Sequence, residues 1–444
     1  MPTYLDVGVV RIQGYIARTP DLRLRRGASW MLSHQTSSAA VREWIKRHPG
    51  VRLNEDAGEA DGVVCLIVPE GHEEHIATAL LVHLRDRLPG AELRAGWAAA
   101  PTYPEARQTM PHFLDALPPV RDFPLAYPCQ GCWEDPRIDG EMCADCSARQ
   151  HAGGYRTGAD RHDALGTERE ILETVNALTG RELEAVSGFN ELAGLGQARG
   201  NHLATIAFDG NGLGAFFAAL DGRFKKGISR AISTATRETL TRTTADLVTR
   251  DDTMLPVVPH VIGGDDIVVT VVADRAWALA RGFLMQFGVQ MAAVGAELGI
   301  PASVPLPTMS AGVVLGHAKF PYARAVQLAE ETLRRAKRET KGAQAALAWL
   351  DVTEDGEQAP KWRRAFTLTE LEHLAGPLGV LTRMGKSGRQ MLSRQLDHPS
   401  EEETRAAALV WARRNGHSAI RVPLEELPVS DVRNLLSIAR WWPL

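Results

Sequence analysis

Three aspartates stand where a folded chain could bring their carboxylates together. Asp265 and Asp266 lie between two apolar, β-branched runs, which predicts the tip of a β-hairpin. Asp209 ends another apolar run, and that strand would lie beside the hairpin in one sheet. Mg²⁺ and Mn²⁺ prefer oxygen ligands of this kind, and a pair of such ions can activate an attacking hydroxyl and stabilise a leaving oxygen in phosphoryl transfer. We therefore predict that Asp209, Asp265 and Asp266 are catalytic metal ligands.

Glycines surround these aspartates. Gly263 and Gly264 precede the hairpin pair, where they would allow a tight reversal and a close approach of a nucleotide. Gly210, Asn211 and Gly212 follow Asp209 in a turn that is expected to open a helix, whose free backbone N–H groups could hold a triphosphate. Aspartate and glycine are also ordinary hairpin residues, so the GGDD string alone would indicate a turn as readily as a metal site. The second motif at Asp209 favours the metal site.

Four cysteines form a second candidate site. Cys129 and Cys132 make one C-x-x-C pair, and Cys143 and Cys146 make another, ten residues later. Such pairs can supply four thiolates to one tetrahedral Zn²⁺, and a closed four-cysteine shell is typical of a structural site. The segment has few large apolar residues, so it needs a metal to hold it together. The alternative is four reduced surface thiols.

The elements that must position these groups occur twice along the chain. Each half reads as strand, helix, hairpin, helix, strand, which is the ferredoxin-like arrangement. The strings RAGWAAAPTYPEAR and SAGVVLGHAKFPYAR occupy corresponding places in the two halves. The predicted fold class is α+β, with two such domains and a helical C-terminal region. Two unrelated α+β domains are the alternative.

Composition excludes several protein classes. The 444 residues carry a net charge of −4, which argues against indiscriminate binding to bare nucleic acid. No apolar run approaches the ~20 residues that span a bilayer, and the N-terminus does not resemble a signal peptide. Five cysteines, four of them clustered, do not indicate a secreted disulfide framework. We expect a cytoplasmic protein without a membrane partner.

The strings that follow GGDD add a resemblance to known proteins. IVVTVV, SAGVV and LAEETLRRAK resemble the nucleotidyl-cyclase palm shared by GGDEF-type diguanylate cyclases and the polymerase-like large subunit of type III CRISPR effector complexes. The opening VVRIQGYIARTPDLRLRRGASWMLS, the four-cysteine segment and the helical tail resemble the CRISPR branch. The layout that this resemblance implies is a non-catalytic first palm (1–120), a zinc segment (121–150), a helical connector (151–200), a second palm with the GGDD site (201–352) and a C-terminal helical domain (353–444).

The resemblance also implies an activity. Members of this family convert ATP into cyclic oligoadenylates, or in some cases nucleotide conjugates, when target RNA binds, and nucleotides sit between the two palms. The implied partners are ATP, guide RNA, target RNA and other protein subunits of the complex. Lys337, in the string RRAK, would reach the phosphates.

The chain departs from many family members in two respects. It begins in the first palm instead of an HD nuclease domain, and the His-Asp dipeptide at His162 and Asp163 has no second His and Asp to complete such a site, so we expect no DNase activity. The first palm has Asp61-Gly62 where the second has GGDD, and Val9 lies near the place of Asp209, so we expect it to be non-catalytic. A basic stretch has two interpretations, a solvated surface or a contact with RNA or triphosphates: Arg18, Arg23, Arg25 and Arg26.

Two other functions stay open from the sequence. One is a non-catalytic, RNA-binding scaffold subunit with an idle palm, which the intact set of three carboxylates disfavours. The other is a free-standing nucleotide cyclase outside CRISPR, and the GGDD string in place of GG[DE]EF disfavours diguanylate synthesis.

Overall fold

A computed structural model describes residues 1–58, 61–116, 127–138, 140–152, 166–196, 201–220, 224, 227–397 and 400–443. His162 and Asp163 lie outside these ranges. The strands of the first sheet are β1 Thr3–Val10, β2 Arg52–Leu53, β3 Val63–Val68, β4 Glu92–Ala99 and β5 His112–Ala116. Those of the second sheet are β6 His202–Asn211, β7 Val257–Gly263, β8 Asp266–Val272, β9 Thr308–His317, β10 Ala346–Asp351 and β11 Phe366–Thr367.

The first sheet has the strand order β2-β3-β1-β4-β5. Its first four strands follow the ferredoxin-like order, and β5 is an added edge strand that the sequence did not predict. Burial alternates along β3 and along most of β1, so one face of the sheet is covered by helices. The helices of this half are α1 Ile12–Ala17, α2 Leu22–Thr36, α3 Ser38–Ile45, α4 Glu73–Arg87 and α5 Tyr103–Thr109. Of these, α5 lies against the other face of the sheet, where the ring centroids of Tyr103 and Tyr4 are 5.6 Å apart.

The segment between the sheets is mainly helical where it is described. Its helices are α6 Ala144–Ala152, α7 Gly166–Thr179 and α8 Phe189–Gly194. α6 packs closely on α2, since a Cβ at Gly27 would lie 1.9 Å from the carbonyl oxygen of Arg149. The cysteine segment is therefore docked on the first half of the molecule.

The second sheet has the order β11-β10-β9-β6-β8-β7. β6 to β9 repeat the ferredoxin-like order, which confirms the predicted α+β fold with two such units. β10 extends the sheet by pairing in parallel with β9. The associated helices are α9 Leu213–Ala219, α10 Ile228–Asp246, α11 Ala276–Glu297 and α12 Tyr322–Thr340. Buried aromatic residues such as Phe208 and Phe283, with ring centroids 4.4 Å apart, fill the core under β6 and α11.

The C-terminal region is helical, as the sequence predicts. Its helices are α13 Val352–Asp355, α14 Leu368–His373, α15 Ala375–Arg383, α16 Lys386–Gln395, α17 Glu401–Arg414, α18 Arg421–Glu426 and α19 Val429–Ala439. Thr367 and Glu370 form the predicted capping box of α14. Trp441 and Trp442 are buried, and the indole of Trp441 donates a 2.8 Å hydrogen bond to Asp351 at the end of β10. This region is thereby fixed to the second sheet.

The expectation for the basic stretch is wrong for Arg25 and Arg26. Only 1% of Arg25 is exposed, and its guanidinium lies 3.5 Å from the ring centroid of Tyr322 in α12. Arg26 is also buried and forms two 2.7 Å hydrogen bonds with Glu168 in α7. These two arginines connect α2 to other parts of the molecule and are not available to RNA. In the ranges given above, no helix is both long enough and apolar enough to cross a bilayer.

Candidate active site between the two halves

The GGDD string forms the tip of the β7–β8 hairpin. Gly263 pairs with Asp266, so Gly264 and Asp265 make a two-residue turn. Gly264 has φ of 65°, which is typical of a hairpin turn with glycine at the first central position. The turn places Asp265 at the tip, and Asp266 is the first residue of β8.

Asp209 lies in β6, next to the hairpin. Phe208 pairs with Ile267, so Asp209 is at the level of Asp266 on the adjacent strand. A Cβ at Gly210 would lie only 2.7 Å from Oδ2 of Asp265. The missing side chain at Gly210 therefore lets Asp265 lean over β6. The structure brings the three aspartates to one edge of the sheet, as the sequence predicts.

Repulsion among these carboxylates disfavours their ionised forms. Burial and the neighbouring charge of Asp209 raise the pKa of Asp265. Burial, then Asp209 and Asp265, raise the pKa of Asp266 to about 7. Their oxygens do not all lie within 4.8 Å of one another among the described side chains. An oxygen donor set whose charges repel each other is nevertheless suited to a divalent cation, which would relieve that repulsion.

Lys337 reaches this edge from α12. Its ammonium donates a hydrogen bond to Oδ2 of Asp209 and another, of 2.7 Å, to the carbonyl oxygen of Gly210. The side chain thus lies where a phosphate bound at the carboxylates would meet it. This agrees with the location that the family resemblance implied.

The turn after Asp209 differs from the prediction. Gly210 and Asn211 continue β6 and pair with Met309 and Thr308, so they do not open a helix. The amide nitrogen of Asn211 donates hydrogen bonds to Thr308, Ser310 and the carbonyl oxygen of Gln344, at 2.9 to 3.1 Å. Its side chain therefore holds β6 to its neighbours instead of facing a nucleotide. Gly212, with φ of 69°, makes the reversal into the seven-residue helix α9.

The first half supplies the opposite wall of the site. A cavity of about 280 Å³ is bounded by both halves, including Arg11, Gln13, Arg107, Asp265 and Asp266. The amide of Gln13 lies 3.5 Å from Oδ2 of Asp266. Sequence reasoning did not identify these first-half residues, because nothing in their spacing shows that they face a hairpin more than 150 positions away.

The first half has other residues at the positions that correspond to the three aspartates. Gly8 pairs with Val63 as Phe208 pairs with Ile267, so Val9 and Gly62 occupy the places of Asp209 and Asp266. Asp61 corresponds to Asp265, but it is buried, and Arg237 lies 3.4 Å away.

The four cysteines converge as predicted. Their sulfur atoms all lie within 4.8 Å of one another, and all four residues are buried against Leu24 of α2. The Cys132 and Cys143 sulfurs are 3.9 Å apart, close to the ~3.8 Å edge of a tetrahedron with Zn–S bonds of ~2.3 Å. Hydrogen bonds from Cys143 and Cys146 hold the pKa of the Cys132 thiol well below its usual range. The donor set and its geometry fit one zinc ion.

A protein-family comparison matches the part of the chain that carries the aspartates. Residues 202–345 match the model of the Cas10/Cmr2 second palm domain. The chain is Cas10-like. This confirms the resemblance to the large subunit of type III CRISPR complexes, through the very strands that hold Asp209, Asp265 and Asp266. No curated protein sequence matches this Cas10-like chain.

Solved structures show that the likeness extends over the whole fold. The chain is similar to the apo Csm1-Csm4 cassette, with a TM-score of 0.57 and 13% identity over 99% of this chain and 70% of the other. It is similar to Csm1 from T. onnurineus, with a TM-score of 0.54 and 15% identity over 99% and 69%. It also matches a Csm1-Csm4 cassette in complex with cA3, with a TM-score of 0.57 and 15% identity over 100% and 70%. At this identity, the Cas10-like chain shares the fold with these proteins.

Proposed function

We propose that this chain is the nucleotidyltransferase subunit of a type III CRISPR antiviral system. It would join ATP molecules into a cyclic oligoadenylate or a related nucleotide messenger when guide and target RNA bind. The observation that carries this proposal is the edge where Asp209, Asp265 and Asp266 meet beside a cavity bounded by both halves. Such an edge can hold divalent cations against the phosphates of a nucleotide.

The proposed reaction joins two nucleotides and releases pyrophosphate. A ribose hydroxyl of one ATP attacks the α-phosphorus of another, a new P–O bond forms, the bond to pyrophosphate breaks and the hydroxyl proton passes to water. Asp209, Asp265 and Asp266 would hold Mg²⁺ or Mn²⁺, which when bound neutralises phosphate charge and favours ionisation of the attacking hydroxyl. Lys337 would contribute a positive charge to the phosphates, and Gly263 and Gly264 would let the nucleotide approach the turn closely.

Similar structures support the choice of nucleotide and partners. Csm1-Csm4 cassettes have been solved with cA4 and with one ATP. Another is described as a subcomplex of the type III-A CRISPR-Csm interference complex. By analogy, we propose that this chain uses ATP and works with other protein subunits, guide RNA and target RNA in the cytoplasm.

The division of the chain into five regions is part of the proposal. Val9 and Gly62 stand in the first palm where the second has carboxylates, which supports a non-catalytic role for residues 1–120. The four-cysteine segment would carry one structural zinc, the described helices at 166–194 would connect the palms, residues 201–352 would catalyse and residues 353–444 would form the helical C-terminal domain.

Mass spectrometry of reaction products tests the proposal. Purified protein is incubated with ATP and Mg²⁺, alone and with partner subunits, guide RNA and target RNA. We expect oligoadenylate products that depend on the RNA and that are absent in the Asp265→Asn variant. A wild-type complex that binds RNA but makes no nucleotide product under any of these conditions would instead support the scaffold function. Product formation by the isolated chain, unaffected by RNA, would support a free-standing cyclase.

A further inference from the structure

The cavity between the halves is lined by arginines as well as by carboxylates. Asp265 and Asp266 face it from the second sheet, and Arg11 and Arg107 face it from the first half. Both arginines keep exposed surface although they line a cavity, so part of each side chain is open to water there. Lys337, on the side of the second sheet, is already bound to Asp209. The first half therefore contributes two arginines to the lining, together with Asp61, whose carboxylate lies 3.4 Å from Arg237.

The guanidinium groups of these arginines are available to a ligand. Over the part of the chain that the structure describes, neither Arg11 nor Arg107 has an ion pair within 4.0 Å or a hydrogen bond. Other arginines behave differently, since Arg94 on β4 makes a 2.6 Å ion pair with Asp115. Two unpaired guanidinium groups in one cavity repel each other, so they favour a bound anion.

A buried polar cluster lies near Arg107, beside α5. The hydroxyl of Tyr103 donates a 2.9 Å hydrogen bond to Oδ2 of Asp6, and Oδ1 of Asp6 has no hydrogen-bond partner among the described residues. Burial alone would lower the pKa of Arg107, but nearby Tyr103, Asp6 and Cys65 raise it above its ordinary value. Arg107 thus has this cluster near it and also lines the cavity.

We propose that Arg107, assisted by Arg11, binds the triphosphate of the nucleotide held at the aspartate edge. This inference rests on the proposed function and assigns the first half a part in it. An arginine fork matches two phosphate oxygens at once, and it keeps its charge at any physiological pH. A nucleotide triphosphate in this cavity would be neutralised by cations at the carboxylates on one side and by arginines on the other. The first half would then be needed for substrate binding although it lacks a set of three carboxylates like that of the second half.

Binding measurements with an unreactive nucleotide test this proposal. Adenosine 5′-(α,β-methylene)triphosphate cannot release pyrophosphate, so its affinity for the full chain can be measured with Mg²⁺ present, and adenosine is measured by competition. We expect Arg107→Ala to weaken the analogue on the order of 10- to 100-fold and adenosine by less than about twofold. Arg11→Ala should act in the same direction but less strongly, Arg107→Lys should restore part of the affinity, and the control Arg94→Ala should change nothing.

Several outcomes would overturn the proposal. Equal losses for the analogue and adenosine, with a lower melting temperature, would mean that Arg107 has only a structural role. If Arg107→Ala needs more Mg²⁺ to bind the analogue but binds it with unchanged affinity at saturating Mg²⁺, then Arg107 acts through Asp265. If wild-type protein makes product and Arg107→Ala binds the analogue as tightly as wild type, this inference alone fails. If wild-type protein binds neither compound and makes no product, the proposed function fails together with it.

Discussion

Replacing Asp266 by asparagine should separate the catalytic role of this residue from its effect on stability. The pKa of Asp266 lies at about 7, above its ordinary value of 3.8, because burial and the charges of Asp209 and Asp265 disfavour the carboxylate. Taken at full size, this difference is worth ~4 kcal/mol of lost stability above pH 7. Although neighbouring groups surround it, Asp266 keeps part of its surface open to water, and screening should reduce the effect to ~1–2 kcal/mol. The amide oxygen of asparagine can still accept the hydrogen bond from Gln13.

The sign of this effect depends on pH. The carboxyl pKa is raised in the folded protein, so the cost is absent below the unfolded value near 3.8 and complete above about 7. At pH 8 without divalent cations, we expect Asp266→Asn to melt about 1–2 °C above wild type, and the difference should shrink as the pH falls towards 4. Mg²⁺ should reverse the order, because it stabilises only a protein that binds it.

Differential scanning fluorimetry with and without Mg²⁺, together with a product assay, measures both effects. Asp266→Asn should retain less than about one hundredth of wild-type synthesis, because it loses an anionic ligand of the divalent cation that would stabilise the transferring phosphoryl group. The reasoning would be refuted by a variant that synthesises product at a near wild-type rate. It would also be refuted by a variant that melts below wild type without Mg²⁺, since that result is expected of an ordinary structural aspartate.

Three further substitutions test other parts of the structure. Metal analysis should find about one zinc ion per wild-type chain and much less zinc in the Cys143→Ser variant, while the control variant Cys65→Ser should keep its zinc. Freshly purified wild-type protein without zinc would contradict the assignment. Asp61→Ala should retain most nucleotide synthesis, and a loss as severe as that of Asp265→Ala would show that both palms are catalytic. Gly210→Ala should fold normally but lose most nucleotide synthesis, because its Cβ would lie 2.7 Å from Oδ2 of Asp265 and displace that carboxylate. Unimpaired synthesis would argue against the close approach of Asp265 to Gly210.

The repeated fold could be predicted because its strands are short, apolar and β-branched, and because the strand order recurs. Added strands were missed for physical reasons. β10 is the run ALAWLD, in which Trp349 is the only residue of a type that favours strands, so its conformation depends on pairing with β9. The string FDGNGLG suggested a turn from its glycines, but pairing of Gly210 and Asn211 with β9 keeps this segment extended. Tertiary pairing overrides local preference in both cases.

The carboxylates and cysteines could be predicted because each motif is local and chemically specific. The arginines could not. Arg25 belongs to a basic stretch that suggested an exposed surface, but its packing against Tyr322 depends on how the two halves meet. Arg107 and Arg324 occupy equivalent places in the repeated strings, yet Arg324 makes a 2.9 Å ion pair with Glu357 while Arg107 faces the cavity. Internal similarity predicts the position of a residue in a repeat but not the surface that it meets.

The asymmetry between the two hairpin tips has a consequence for the timing of the reaction. Val9 and Gly62 occupy the places of Asp209 and Asp266, so in the described chain the two palms share one complete set of carboxylates. If the proposed function holds, such a pair would form one phosphodiester bond at a time. A ring with several linkages must then be assembled stepwise, and the growing end must be moved back to the same aspartates after each addition. Linear intermediates should therefore precede cyclic products in time, and ring size would depend on how long each intermediate stays bound compared with how fast its ends can meet.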